Sequence, residues 1–470
     1  MVGIPRVVIA APGSGHGKTS IATGLLAALR SRGLTVSPHK VGPDYIDPSY
    51  HGLAAGRPGR NLDPWLVGED RIVPLFRHGA RTPTPADIAV IEGVMGLFDG
   101  ASGPGSPVGG DFASTAHVAR LLNAPIILVV DASGVGSSVA ALLHGFATFD
   151  PRVRLAGVIL NQVGSEYHAQ LLRAAVEPTG IPVLGAVHRQ DALTVPSRHL
   201  GLIPAAERQP QARAAVEALG AAVTSSVDLD ALVRIAATAG PIAEQVDETT
   251  PPVAPTTRIA VAAGTAFTFG YAEHPELLTC AGAEVVSFDP LRDEKLPPNV
   301  DGVLIGGGFP EIHAVDLSAN ATLRSHVAEL AALGAPVLAE CAGLLYLSRR
   351  LNDQPMCAVL DIDTEMTDRL TLGYRAAVAR TDSPIAAEGS RVHGHEFHRT
   401  AVRTADAGAN AWSWTARGSA VTEGFVRGNV HASYLHTHWS GSPGTAERLV
   451  AAARQYRSTQ GAARHSGSNR

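Results

Sequence analysis

The chain has 470 residues, a length that predicts two to four domains, each with a core of its own, and argues against a single domain. Charged residues make up 17% and the formal net charge is −5, without a block of like charges, so the composition indicates neither a nucleic-acid partner nor an anionic membrane surface. The longest aliphatic run, Ile126–Val130, is too short to span a membrane, and residues 1–6 lack the apolar stretch of a secretory signal. We therefore expect a soluble, cytoplasmic protein whose partners are small molecules.

A short apolar run near the N-terminus, Val7–Ala11, leads into glycines and ends in Gly-Lys-Thr at residues 17–19. A strand, a glycine-rich turn and a helix start are what a phosphate-binding loop requires, because backbone N–H groups can then face an anion at the positive end of the helix. This chain has Pro12 where the usual motif has its first glycine, so the loop is a deviant one. The candidate nucleotide-binding residues here are Gly13, Gly15, Gly17, Lys18, Thr19 and Ser20.

Six strand-like runs alternate with helical stretches up to about residue 187. The runs show no polar alternation, as expected of strands covered on both faces, and their alternation with helices predicts a doubly wound parallel sheet. Ligands of such sheets bind beyond the carboxyl ends of the strands. The runs are Arg6–Ala10, Val36–His39, Ile88–Glu92, Ile126–Asp131, Val153–Leu160 and Pro182–Ala186.

Polar residues follow several of these runs, at the predicted ligand edge. Lys40, Asp44 and Asp47 stand on a loop held by prolines, which is either built to present charge or a solvated turn. Glu92 ends the third run, where a carboxylate is suited to bind Mg²⁺ together with Thr19 of the phosphate loop.

Two later runs also end in polar side chains. Asp131 either caps its own turn or belongs to the site. Asn161 can offer its amide to the base of a nucleotide, so it joins the candidate nucleotide-binding residues.

Composition along the chain predicts its domain organisation. Residues 99–113 are rich in Gly, Pro and Ser and form a candidate lid or substrate loop. Prolines and threonines between residues 241 and 257 indicate an interdomain linker. The predicted parts are a phosphate-binding domain over 1–245, a linker over 246–256, a second domain over 257–455 and a disordered tail over 456–470.

The second domain is predicted to be another α/β unit with a cysteine at its centre. Cys341 follows the strand-like run Pro336–Glu340 and precedes small residues, which is the layout of a nucleophile elbow at a helix N-terminus. A free cysteine is also often no more than a small buried residue. The three cysteines, at positions 280, 341 and 357, are odd in number and lack metal-like spacing, which argues against a disulfide framework and a zinc site.

Further motifs give this cysteine possible partners. Three histidines between residues 431 and 438 offer a base for a cysteine–histidine pair. Glycines at 306–308 can expose backbone N–H groups and, without a lysine, suit an oxyanion. Three histidines at 393–398 have a spacing like that of metal ligands, and recognition of a polyanionic substrate fits them at least as well.

Taken together, these motifs resemble those of the a,c-diamide synthases of corrinoid biosynthesis, which act on cobyrinate or hydrogenobyrinate. The likeness runs from the phosphate loop to about Ala453. In that family the N-terminal half resembles dethiobiotin synthetase and the C-terminal half is a class I-like glutamine amidotransferase, so the resemblance implies two doubly wound α/β domains. The segments that carry it are 40–48, 92–100, 306–311, 340–343 and 432–436.

For the second domain, the resemblance implies that Cys341 is the nucleophile that attacks the glutamine amide and that His436 raises its nucleophilicity. His438 stands where many class I amidotransferases have a glutamate that orients the histidine, so the third member of the site is left open. The chain also departs from the family pattern at residues 342 and 399, where it has alanine and arginine. The candidate oxyanion donors are the N–H groups of Gly307, Gly308 and Ala342.

For the first domain, the resemblance implies that ATP with Mg²⁺ phosphorylates a carboxylate of a corrinoid macrocycle, and that ammonia from glutamine then displaces the phosphate. The predicted metal ligands are Thr19, Glu92 and Asp44. Further candidates around the terminal phosphate are Lys40, Asp47 and Asp99. Candidates for contact with the macrocycle carboxylates are Arg57, Arg60, His395, His398 and Arg399. A homodimer is the default expectation.

Two other interpretations are open at this point. A ParA-like P-loop ATPase of the partitioning type uses similar loops, and its amidotransferase-like half would be inactive, but this leaves Cys341 and His436 without a task. A related amidotransferase ligase that acts on another tetrapyrrole would have the same two sites.

Overall fold

The computed structural model describes residues 3–101, 110–189, 197–198, 201–202, 205, 209–242, 254–403, 408–416 and 418–467. The chain divides into two compact units, the first ending at Asp247 and the second beginning at Glu248. The predicted linker (246–256) and the predicted lid (99–113) fall largely outside the described residues, and the predicted domain limits stay predictions. No helix in the described ranges is long and apolar enough to cross a membrane.

The first unit is built on one parallel sheet. Its strands are β1 (Arg6–Ala10), β2 (Val36–Val41), β3 (Arg60–Leu62), β4 (Ile88–Glu92), β5 (Ile126–Asp131), β6 (Leu155–Val163) and β7 (Val183–His188), with a separate hairpin of β8 (Ser197–Arg198) and β9 (Gly201–Leu202). Its helices are α1 (Lys18–Ser31), α2 (Ile46–Ala55), α3 (Pro64–Val67), α4 (Glu69–Arg81), α5 (Thr115–Leu121), α6 (Val139–Thr148), α7 (Glu166–Val176), α8 (Gln209–Ser226) and α9 (Leu229–Ala237). Within the described residues, seven strands pair in the parallel order β3-β2-β4-β1-β5-β6-β7. This confirms the predicted doubly wound α/β fold.

The buried, largely β-branched strands explain why this sheet is readable from the sequence. β1 and β4 are buried along their whole length, as strands covered on both faces must be. β3 is different, because its residues Arg60, Asn61 and Leu62 show no apolar run. It is held by pairing with β2, from His39 opposite Arg60 to Val41 opposite Leu62, so the sequence pattern does not predict it.

The second unit combines a parallel sheet with a long antiparallel extension. Its strands are β10 (Thr257–Ala262), β11 (Ala283–Phe288), β12 (Gly302–Ile305), β13 (Val337–Glu340), β14 (Arg350–Leu351), β15 (Gln354–Pro355), β16 (Asp363–Ala379), β17 (Arg391–Val402), β18 (Ala409–Ala416), β19 (Ser419–Arg427), β20 (Val430–Ser433) and β21 (His436–Thr437). Its helices are α10 (Glu273–Cys280), α11 (Ala314–Ala319), α12 (Ala321–Ala332), α13 (Ala342–Leu347) and α14 (Thr445–Gly467). The parallel part has the order β11-β10-β12-β13-β20, and β19 continues it in the antiparallel direction.

The antiparallel extension brings distant residues to the end of β13. β17 pairs with β16 along most of its length, and the short strand β21 then pairs with β17, with His395 opposite His436. Side chains directly opposite each other in an antiparallel pair lie on the same face. His395 and His436, one from each histidine-rich segment, are therefore neighbours.

The last helix extends into the range 456–470 that the sequence analysis predicts as a disordered tail. Helix α14 continues to Gly467, and residues 468–470 lie outside the described part. Arg454 and Arg457 fasten the helix beside β10, since Arg454 Nε donates to Thr256 Oγ1 at 2.7 Å and Arg457 Nη1 donates to the Thr256 carbonyl oxygen at 2.9 Å. A Ser-, Gly- and Arg-rich composition did not reveal this anchoring.

Buried histidines are a feature of the core of the second unit. The His431 ring packs against Trp412 with ring centroids 5.1 Å apart, and the residue is only 2% exposed. Burial lowers the pKa of His431 to about 4, although the Glu340 charge opposes the shift. The histidine is therefore neutral in the folded protein at neutral pH.

We expect this burial to weaken the second unit in acid. Below pH 6.5 the unfolded chain binds a proton at His431 that the folded chain does not bind until about pH 4, so stability falls as the pH drops through this window, by on the order of 2 kcal/mol at pH 5. His431→Leu should therefore lose less stability than the wild type between pH 7.5 and 5. Urea unfolding followed by tryptophan fluorescence checks this, since three of the four tryptophans lie in this unit.

The exposed residue His393 provides the control, and His393→Gln should keep the pH dependence of the wild type. An identical pH dependence in the wild type and His431→Leu would contradict the assignment of a buried neutral histidine.

Candidate active site

The predicted phosphate loop joins β1 to α1. Gly15 and Gly17 both have positive φ angles, 85° and 87°, which favour glycine and allow the turn. Lys18 opens the helix, and its Nζ donates to the carbonyl oxygens of Gly13 at 2.9 Å and Met95 at 2.5 Å. Burial, followed by the charge of Lys40, lowers the pKa of Lys18 to about 8. An anion bound at the loop would favour the charged amine, so the site is electrostatically suited to phosphate.

A pocket lies beside this loop, with Gly15, Gly17 and Asn161 in its lining. Asn161 Nδ2 donates to the His16 carbonyl oxygen at 3.0 Å, and a Cβ on Gly17 would lie 2.2 Å from the same nitrogen, so glycine is needed there. The pocket also includes Ser20, a residue of the predicted nucleotide-binding set. Its lining contains Gln162, Val187, His188, Leu219 and Val223, which no sequence motif indicates because they come from remote segments.

Glu92 is the centre of a buried charge cluster in the first unit. Its Oε1 accepts hydrogen bonds from Thr19 Oγ1 at 2.7 Å and Lys40 Nζ at 2.9 Å. Its Oε2 lies 2.6 Å from His51 Nε2. Burial alone would raise the pKa of Glu92, but Lys40, His51 and Thr19 hold it well below its usual range, so the carboxylate is ionised.

The two aspartates of the proline-rich loop have different environments. Asp47 Oδ2 lies 2.7 Å from Lys40 Nζ and 3.3 Å from Thr19 Oγ1. Asp44 accepts a hydrogen bond from the Ile46 N–H at 2.8 Å, and burial together with the Asp47 charge raises its pKa to about 8. Asp47 thus contacts Thr19, a predicted metal ligand, whereas Asp44 bonds within its own loop. The geometry therefore favours Asp47 over the predicted Asp44 beside Thr19 and Glu92.

The oxygen atoms of Thr19, Asp47 and Glu92 form a donor set of the kind that Mg²⁺ prefers, with phosphate oxygens left to complete it. Asp99 is exposed, its Oδ2 accepts the Gly96 N–H at 2.8 Å, and its charge acts on Lys18. Within the described ranges, no three His, Cys, Asp or Glu side chains converge as a metal site. Among the residues that the structure describes, the histidines at 393–398 are not part of such a group.

In the second unit, Cys341 occupies a strained turn between β13 and α13. Its φ and ψ angles are 49° and −101°, an unfavourable conformation for a residue with a side chain, and its N–H donates to the Ser433 carbonyl oxygen at 2.7 Å. Small residues are required behind it, because a Cβ on Gly343 would lie 2.3 Å from the Ile305 carbonyl oxygen. This is the geometry of a nucleophile elbow.

His436 is fully buried next to Cys341. Burial would lower its pKa, but the charge of Cys341, a hydrogen bond with the Cys341 side chain and the carboxylate of Glu340 raise it to about 10. The Glu340 Oε2 lies 3.7 Å from His436 Nδ1. The structure thus brings the two predicted catalytic residues together and adds Glu340, to which the sequence analysis gave no role.

His438 faces a different carboxylate. Its Nε2 lies 3.5 Å from Glu273 Oε2, and its ring packs on Tyr271 with centroids 4.4 Å apart. Glu273 precedes His438 by more than 160 residues and no motif indicates it. His438 therefore belongs to a second buried pair.

The predicted oxyanion donors need one correction. The N–H of Gly307 donates to the Phe269 carbonyl oxygen at 3.1 Å, so it is already engaged, while Gly308 and Ala342 stay predicted donors. Gly307 has a steric function instead, since a Cβ there would lie 2.5 Å from His436 Cε1. The glycine makes room for the catalytic ring.

Strand β17 forms another wall of this site. The Cys341 thiol lies 3.8 Å from the Phe397 carbonyl oxygen, and the His398 ring stacks on Tyr434 with centroids 3.8 Å apart. Burial, with the charges of His436 and Arg375, lowers the pKa of His395 to about 3. His395 and His398 are thus buried beside the nucleophile. This environment suits a small substrate better than the macrocycle that the sequence analysis predicts as their ligand.

The arginines predicted to meet macrocycle carboxylates are also engaged within the protein. Arg57 and Arg60 are 7% and 2% exposed, and Arg57 Nη2 donates to the Gly79 carbonyl oxygen at 2.8 Å. Arg399 Nη1 donates to the Asp368 carbonyl oxygen at 2.6 Å. Arg57 and Arg60 have structural roles, so neither is presented to a large ligand.

A phosphate-binding unit and a cysteine–histidine amidotransferase unit in one chain define the class of glutamine-dependent, nucleotide-using ligases. Residues 7–203 match the CobQ/CobB/MinD/ParA nucleotide binding domain, and residues 258–444 match the CobB/CobQ-like glutamine amidotransferase domain. The chain belongs to the family of cobyrinate and hydrogenobyrinate a,c-diamide synthases.

Its relatives match almost end to end. It is 55% identical to a hydrogenobyrinate a,c-diamide synthase of Streptomyces coelicolor, covering 95% of this chain and 97% of the relative. The identity to the protein of that name from Mycobacterium bovis is also 55%, with coverages of 95% and 98%. A cobyrinate a,c-diamide synthase of Synechococcus is 41% identical, with coverages of 96% and 98%.

We expect Gly307→Ala to abolish most glutamine hydrolysis, because the new methyl group would displace the His436 ring. Losing the correct position of a catalytic base costs on the order of 10²-fold in rate. The measurement is ammonia release from glutamine by the purified full-length protein.

Gly270→Ala is the matched control, since an added Cβ there meets no atom within 4 Å. It should hydrolyse glutamine at the wild-type rate. Equal rates for Gly307→Ala and the wild type would show that the ring is not confined in this way.

Proposed function

We propose that this protein amidates the a- and c-acetate carboxylates of hydrogenobyrinate, using ATP and using glutamine as the source of ammonia. The observation that carries this is the presence of two sites in one chain, the charge cluster around Lys18, Thr19 and Glu92 and the Cys341–His436 pair. The names of its relatives support the substrate class. The intact cysteine–histidine geometry argues against the ParA-like alternative with an inactive second half.

The second unit would release ammonia from glutamine. The His436 ring holds the proton of the Cys341 thiol, and the thiolate attacks the carbonyl carbon of the side-chain amide. The tetrahedral oxyanion is stabilised by the N–H groups of Gly308 and Ala342. The imidazolium then gives its proton to the leaving nitrogen, and water later hydrolyses the glutamyl thioester to glutamate.

The first unit would activate the acceptor. A carboxylate does not react with ammonia unaided because its leaving group is poor, and transfer of the terminal phosphoryl group of ATP converts it into an acyl phosphate. Lys18 would neutralise the charge that develops on the transferred group, and the hydrogen bonds of its Nζ to the Gly13 and Met95 carbonyl oxygens support this. Ammonia then attacks the acyl carbon and phosphate leaves.

Mg²⁺ fits the oxygen donors of this cluster, and we propose Thr19, Asp47 and Glu92 as the side chains that hold it. When bound, it would neutralise charge on the phosphate oxygens. Lys40 orients both carboxylates, because its ammonium bridges them. We further propose a cytoplasmic homodimer, since ATP and glutamine are cytoplasmic metabolites and twofold dimers are the commonest oligomers.

Two variants should separate the two half-reactions. Cys341→Ala should lose glutamine-dependent synthesis and keep synthesis from ammonium, because it removes only the nucleophile. Lys18→Met should lose synthesis from both nitrogen sources and keep glutamine hydrolysis. The measurements are ammonia release and ATP-dependent amide formation, the latter by mass spectrometry. Full glutamine-dependent synthesis by Cys341→Ala would exclude the proposed nucleophile.

The substrate can be tested by comparing hydrogenobyrinate with its cobalt-bearing counterpart, cobyrinate. The relatives named for hydrogenobyrinate are 51–55% identical to this chain, and those named for cobyrinate are 41–45% identical. We therefore expect kcat/KM to be at least about tenfold higher for hydrogenobyrinate, a difference of about 1.4 kcal/mol in transition-state stabilisation. A preference for the cobalt-bearing acid would contradict this assignment.

A further inference from the structure

We propose that Glu340, the residue immediately before the nucleophile, is the positioning residue that orients His436 and stabilises its imidazolium. This rests on the proposed glutamine hydrolysis and fills the place that the sequence leaves open. The carboxylate comes from β13 itself, whereas the position two residues after His436 holds a histidine.

The geometry supports this role. Glu340 Oε2 lies 3.7 Å from His436 Nδ1, so Nε2 is the ring nitrogen left for the Cys341 thiol. Hydrogen bonds in catalytic sites are often long before substrate binds and shorten in the reacting complex. A small rotation of the glutamate would bring this contact to hydrogen-bond length.

The other carboxylate oxygen is held in place. Glu340 Oε1 accepts hydrogen bonds from the N–H of Thr437 at 3.3 Å and from its hydroxyl at 3.1 Å. Thr437 follows His436 directly, so the two residues present three polar atoms to one carboxylate. Glu340 and Cys341 are consecutive residues, so the end of β13 and the short strand β21 together locate the nucleophile, the ring and the carboxylate.

The electrostatic environment is consistent with an ionised glutamate. Glu340 is only 5% exposed, and although burial would raise its pKa, His436, His274 and Thr437 lower it. A buried carboxylate needs such compensation to stay charged. The titratable groups that act on His436 or on Glu340 are Cys341, His274, His395, Glu423 and His431.

The second buried carboxylate of this region does not meet the same requirement. Glu273 lies 3.5 Å from His438 Nε2, and Tyr271 packs on the other side of that ring. Glu273 therefore pairs with His438, whereas Glu340 pairs with His436, its Oε2 lying 3.7 Å from His436 Nδ1. Glu273 is therefore a matched control, because it is a buried glutamate that pairs with His438, the histidine two residues after His436.

The test is glutamine hydrolysis as a function of pH for the full-length wild type, Glu340→Gln, Glu340→Asp and Glu273→Gln. We expect Glu340→Gln to lower kcat/KM at least about tenfold and to move the basic limb of the profile to lower pH by about one unit or more. The sign follows because the neutral amide no longer stabilises the imidazolium. Glu340→Asp should recover part of the rate, and Glu273→Gln should keep the wild-type basic limb.

A purely structural role would lower the rate and leave the basic limb in place, and that result would overturn the proposal. An equal shift in Glu273→Gln, or an unchanged profile in Glu340→Gln, would overturn it as well. Ammonium-dependent synthesis by Glu340→Gln should match the wild type, since it bypasses His436. Wild-type glutamine hydrolysis without amidation of any corrinoid would contradict the proposed function while leaving the role of Glu340 measurable.

Discussion

Each unit of this protein buries an ionised glutamate at the carboxyl end of an interior parallel strand, Glu92 on β4 and Glu340 on β13. A charged carboxylate away from water costs several kcal/mol unless partners compensate for the lost hydration. The surroundings of both residues follow from this constraint. Lys40, His51 and Thr19 converge on Glu92, and the strand that follows β20 returns to place a histidine and a threonine on Glu340. The two sites are built around these charges.

Within the charge cluster around Glu92 the positive and negative side chains compensate each other. At the phosphate loop the positive charge is less well compensated. Lys40 is held charged by Asp47 and Glu92 although burial opposes it, so its pKa lies well above the usual range. Lys18 belongs to the phosphate loop, and burial together with the nearby charge of Lys40 lowers its pKa to about 8. Negative charge at the phosphate loop is therefore favourable, because it would stabilise the charged form of Lys18. A bound triphosphate supplies that charge and brings an electrophilic phosphorus beside Lys18, which is what activation of a carboxylate requires.

The sequence allowed most of the first unit to be predicted, because buried parallel strands have uninterrupted apolar runs and the phosphate loop has a local motif. β3 was not predicted, because a strand of three residues that is held by pairing with β2 shows no apolar pattern. The pairing of β16 with β17 could not be predicted either, because it depends on partners that are remote in the chain. The same limit applies to the site. Cys341 and His436 follow from motifs, whereas the choice of Asp47 over Asp44, the engaged N–H of Gly307 and the contact of Glu340 with His436 depend on which groups meet in three dimensions.

The central claim is that the phosphate loop serves to convert a carboxylate into an acyl phosphate for ammonia released at Cys341. Transfer of oxygen from the substrate tests it most directly. With hydrogenobyrinate whose acetate carboxylates carry ¹⁸O, one labelled oxygen should appear in inorganic phosphate for every amide formed, because the carboxylate oxygen leaves with the phosphoryl group. Amide formation accompanied by unlabelled phosphate would contradict the claim.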